Sequence, residues 1–87
     1  MPQIGATIEE MQQLQSTFIR ESANVAELTS TLSSQVGSTW WVGPAAERFK
    51  GQWDGEFRPM LQRLQQALDA CSHEVQQRSN AIQAAGS

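Results

Sequence analysis

The 87-residue chain has no tyrosine, one cysteine, one histidine and no long run of apolar residues. A single cysteine rules out any disulfide within the chain. No stretch approaches the roughly 20 apolar residues that a membrane-spanning helix needs. Lys and Arg number six against nine Asp and Glu, for a formal charge of -3. That balance does not make the basic face of a nucleic-acid binder, and it disfavours acidic phospholipid surfaces. Met1 to Gly5 lacks a basic segment leading into an apolar core, so no general secretory signal peptide is expected.

Catalytic and metal chemistry are excluded in the same way. Cys71 and His73 are two residues apart, which places them on different faces of a helix. A nucleophile and its base have to meet, and a zinc site needs clustered ligands. Cys71 therefore reads as a small core residue and His73 as a solvated one. Glu9 and Glu10, or Asp54 and Glu56, are explained by helix dipoles and solubility. The expectation is a protein that is not an enzyme and carries no cofactor or metal.

What the chain does contain is Gln, Ala, Glu, Ser and Leu in a helix-forming mixture with few β-branched runs. Thr7-Ile8-Glu9-Glu10 fits a capping box, with the Thr7 hydroxyl accepting from the Glu10 N–H. Ile8, Met11, Leu14, Phe18, Val25, Leu28, Leu32 and Val36 then follow three- and four-residue steps. Met11, Phe18, Val25 and Leu32 recur every seven residues, as a left-handed bundle seam requires. Gly37 stands where a left-handed residue closes a helix. A first helix over 8–36 follows.

Residues 37–43 form the turn, with Trp41-Val42-Gly43 at its apex. Gly43 is placed to cap a second helix over 44–83, and Pro44 suits its first position, where a missing N–H costs nothing. The buried stripe of that helix is expected at Ala46, Phe49, Trp53, Phe57, Met60, Leu61, Leu64, Leu68, Cys71, Val75 and Ile82. Pro59 falls inside the pattern and should bend the helix near Gly55. The tail from Ala84 should fray. Two helices side by side bury one seam and leave the flanks of Phe18, Phe57, Met60 and Leu64 in water. A second hairpin would cover them in a four-helix bundle.

Trp53 is in phase with Phe49 and Phe57 and reads as core. Trp40 and Trp41 are adjacent and cannot both be buried against one surface. Either they plug the open end of the bundle, or one is an exposed docking anchor.

A short helical chain with a central Trp-x-Gly turn, then Ala45-Ala46, Phe49 and Trp53, resembles the WXG family. These are the early-secreted-antigen-like substrates of type VII secretion in Gram-positive bacteria. The resemblance spans nearly the whole chain. It implies an all-α antiparallel hairpin that pairs with itself or with a sister WXG-type protein into a four-helix bundle. It also implies export without a signal peptide by a membrane complex with an FtsK/SpoIIIE-like ATPase, and a role as secreted effector or as adaptor and chaperone. Trp41 and Gly43 match the family motif, and Trp40 is an extra aromatic beside them. Many family members carry Tyr-x-x-x-Asp or Tyr-x-x-x-Glu after the second helix, and this chain has no tyrosine to start one. A sister subunit then supplies that half of the signal, or recognition differs. The competing reading is an intracellular helical scaffold or regulator that binds a partner helix through its apolar face.

Overall fold

Steps of three and four residues alternate along the first helix at Ile8, Met11, Gln15, Phe18, Ser22, Val25, Thr29, Leu32 and Val36. Each of these is buried or half-buried, and among the other residues of the helix only Ala26 and Ser33, beside the seam, are half-buried too. That alternation keeps one edge of a helix against a single partner. The partner is the second half of the same chain. The computed structural model describes residues 5–86, so the reading of Met1 to Ile4 and of Ser87 lies outside the described residues. Helix α1 spans Ile8–Ser38, α2 Pro44–Gln52 and α3 Arg58–Gly86, with a π-helical turn at Trp53–Phe57 joining the last two. The result is an all-α antiparallel hairpin, a rod measuring 64 × 19 × 18 Å.

The long arm has its own seam. Ala46, Lys50 and Trp53 begin it, and Arg58, Leu61, Gln65, Leu68, Ser72, Val75, Ser79 and Ile82 continue it. Every step is three or four except one. Trp53 to Arg58 is a step of five, and it coincides with the π-helical turn. Pro59 favours the widening at this position. Its ring crowds the carbonyl four residues back, that of Gly55, and it has no N–H to offer. The Arg58 N–H bonds instead to the carbonyl of Trp53, five residues back. In that pattern the Asp54 carbonyl awaits the N–H of residue 59, which is proline. The Arg58 guanidinium leans over it, with Nη2 3.5 Å from the carbonyl oxygen and 3.6 Å from the Asp54 carboxylate. The bend expected near Gly55 is therefore a one-residue bulge, the usual form of a π turn.

The helix ends differ from expectation in three places. Thr7 is the first cap, but its side chain makes no capping bond; the first turn is closed by the Met11 N–H donating to the Thr7 carbonyl at 3.0 Å. Gly37 lies inside α1 and does not end it. The stop is Thr39, which turns extended while its N–H and hydroxyl donate to the Gln35 carbonyl at 2.9 and 2.6 Å. At the other end the helix runs through Ala84 to Gly86, past the point where fraying was expected.

Within the hairpin the fully covered residues are few and mostly small. The buried apolar ones are Ala46 and Trp53, and the buried polar ones are Ser22, Thr29, Ser72 and Ser79. Ser22 crosses the seam: its hydroxyl lies 2.6 Å from the Asp69 carboxylate and 3.3 Å from the Gln65 carbonyl. Small hydroxyl residues let two helices approach closely, and Thr29 and Ser72 donate within their own helices to the Val25 and Asp69 carbonyls, at 2.8 Å each.

Candidate recognition corner and apolar side

Gly43 makes the turn possible. Its φ of 114° and ψ of 174° belong to a region that only glycine occupies without strain. Pro44 follows at the first helical position, and the Glu47 N–H donates to the Gly43 carbonyl at 3.0 Å. The chain therefore leaves α1 at Thr39, crosses the tip through Trp40, Trp41 and Val42, and re-enters a helix at once.

The two tryptophans part company there. Trp40 is 86 % exposed, whereas Trp41 is 43 % exposed and leans on Phe49, with ring centroids 5.6 Å apart and planes tilted by 40°. Lys50 Nζ lies 3.4 Å from the Trp41 carbonyl and helps hold the chain across the tip. Trp41 and Phe49, with Leu32, Val36, Thr39 and Lys50, line a hollow of about 230 Å³. In the single hairpin Trp40 stands in solvent and Trp41 covers Phe49. Trp53 is the buried one, and its indole Nε1 donates to the Ser33 hydroxyl at 3.3 Å.

Below the tip, the large exposed apolar residues gather along one side of the hairpin, apart from Ile19, which is 52 % exposed on the opposite flank of α1. In an antiparallel helix pair the flanks of the two seams face the same way. On that side Leu14 and Leu28 of α1 lie beside the half-buried Met11, Phe18, Val25 and Leu32. The long arm adds Phe57 and Leu64 beside Leu61, Leu68 and Val75. Phe49 and Phe57 are each 37 % exposed, and Leu14, Leu28, Met60 and Leu64 are 46 to 51 % exposed.

The expected single buried stripe is thus split in two. Phe49, Phe57, Met60 and Leu64 are exposed, and so is Cys71, which is not a core residue in the hairpin. For the residues from Phe57 onward the π turn is the cause, whereas Phe49 precedes it and packs on Trp41. Without its extra residue, the phase of Ala46, Lys50 and Trp53 would continue through Phe57, Met60, Leu64 and Cys71, and those residues would face α1. With it, Arg58, Leu61, Gln65, Leu68 and Ser72 face α1 instead. The hydroxyl residues of the seam carried no apolar signal, although Ser22 and Thr29, and Ser72 and Ser79, are seven residues apart in step with the apolar positions.

His73 is exposed, and among the described residues no group of three His, Cys, Asp or Glu is placed to hold a metal. No helix among them is long and apolar enough to cross a membrane.

The profile of the WXG100 family, described as proteins of 100 residues with WXG, matches residues 3–87. No curated protein and no solved structure matches this chain.

Proposed function

The chain belongs to the WXG100 family of type VII secretion substrates, and from that membership we propose that it is a non-enzymatic export substrate that works as a paired hairpin. The observation that carries the reading is the apolar side. Leu14, Leu28, Phe57 and Leu64 are too exposed for a hairpin that functions alone, and the family generally pairs as dimers. A second hairpin laid on that side completes a four-helix bundle and takes these residues out of water.

The tip then serves as the turn half of the export signal. Gly43 fixes its shape, Trp41 supplies an aromatic shelf over Phe49, and the hollow beside it offers an apolar foothold for the secretion machinery or for a partner's tail. Because this chain has no tyrosine, the complementary Tyr-x-x-x-acid half comes from the paired subunit. After export the protein acts as an effector, or as the adaptor that carries its partner out.

The test is export from the native host, with and without its FtsK/SpoIIIE-like ATPase. Wild-type protein is expected in the medium only when the ATPase is present. Trp41→Arg is expected to stay inside the cell while keeping wild-type helicity. Equal amounts of the variant and the wild type in the medium would remove the tip from the signal.

A further inference from the structure

The apolar side is not uniformly apolar. Its rows run from Met11 to Leu32 on α1 and from Phe57 to Val75 on the long arm. Between those limits they hold one charged residue, Glu21, seven residues from both Leu14 and Leu28 and flanked by Phe18 and Val25. It lies at the middle of the α1 row. Its side chain is 50 % exposed, lies 3.3 Å from Arg20 Nε and accepts weakly from Asn24 Nδ2 at 3.4 Å. Arg20 is the next residue on the helix, points about 100° away from that side, and is itself 67 % exposed. It can hold Glu21 at the rim, and it presents no cation to an incoming hairpin.

We infer that this side selects a partner hairpin carrying a Lys or Arg at the middle of its own apolar face, in preference to a second copy of this chain. The inference rests on the paired-hairpin reading above and specifies its partner. In an antiparallel pairing of two copies, the middles of the α1 rows meet, and Glu21 faces Glu21. In a parallel pairing, Glu21 of one copy lies over the Leu64, Leu68 and Cys71 region of the other. Neither arrangement brings a cation to it. Arg78 is engaged with Glu74 at 2.6 Å, beyond the Val75 end of the row, and Arg58 is at the π turn beside Asp54. Charges flanking a helical seam choose partners by this means, since like charges repel across an interface and unlike charges attract.

The test uses the chain as it stands and a charge-reversed copy as the basic partner. Native mass is measured over a dilution series for the wild type, for Glu21→Lys, for their equimolar mixture and for Glu21→Leu. Wild type and Glu21→Lys alone are each expected to associate weakly. The mixture should form a one-to-one dimer at least about tenfold tighter than either alone, because opposite charges now meet at the middle. Glu21→Leu should self-associate more tightly than wild type. A wild-type dimer that resists dilution, with no gain in the mixture, would overturn the partner inference and leave hairpin pairing standing. No association in any arm, Glu21→Leu included, would overturn the pairing reading and the inference with it.

Discussion

Single residues set the geometry of the tip, and each leaves a measurable trace. At Gly43 a Cβ would meet nothing within 4 Å, so space does not restrict the position. The backbone does, because φ is +114°. Gly43→Ala should therefore lower the stability of the hairpin by about 1–3 kcal/mol through strain alone. A urea titration followed by far-UV circular dichroism measures it, and an unchanged midpoint would mean that the turn adopts another shape. Trp53 is a different case, since it is buried and bonded to Ser33. Trp53→Phe keeps most of the apolar contact and removes the indole N–H. Its cost should be about 1 kcal/mol, and Ser33→Ala should cost little more in that background, because the two share one bond.

The element that decides most is the π turn. Its position follows from Pro59, yet its effect is felt along all of α3, because one extra residue rotates everything after it by about 100°. In Pro59→Ala the restored N–H can donate to the Asp54 carbonyl within the same widened turn. Helix packing on both sides of the turn already holds the seam in register. The variant should keep the π turn and gain about 1 kcal/mol from the added bond. Amide exchange at residue 59 slower than in an open helix end would verify the bond. Removing Gly55 in the Pro59→Ala background should convert the turn to regular α-helix, since the step from Trp53 to Arg58 becomes four. Cys71 should then react with a thiol reagent as fast as in the wild type. Protection of Cys71 in the deletion variant would mean that the seam had slipped to the Phe57–Leu64 stripe.

At the scale of the whole molecule, the rod is thin and its interior small, so stability and association are coupled. Leu68 is only half-buried in the hairpin and Leu64 is 47 % exposed. A fully buried Leu→Ala costs about 2–5 kcal/mol, and Leu68→Ala in the isolated hairpin should fall below that range. Leu64→Ala should barely move the urea midpoint of the hairpin while weakening its assembly. Denaturation at low and high protein concentration separates the two. In the paired state both substitutions should approach the full cost, because the second hairpin supplies the missing cover. Equal costs at every concentration would mean that the apolar side stays in water.

Much of this architecture was legible in the residues. The two helical segments follow from apolar periodicity, the turn from Gly43 and Pro44, and the position of the bulge from a proline inside a continuing pattern. The Trp-x-Gly corner, with Phe49 and Trp53 at helical spacing beyond it, pointed to the family. Local chemistry decides such features, because helix periodicity, φ restrictions and a missing N–H act within a few residues. Other features arise only when the two arms meet. A close approach of backbones selected Ser22, Thr29, Ser72 and Ser79 for the seam, where apolarity alone would have chosen larger residues. Packing against α1 fixed the phase of α3, and with it the outward side of Phe57, Met60, Leu64 and Cys71. The parting of Trp40 into solvent and Trp41 onto Phe49 was also tertiary, since adjacent residues of the same type differ only in what stands next to them. The sequence by itself determined the helices and the corner between them; only the tertiary structure decided which faces those helices hide and which they offer.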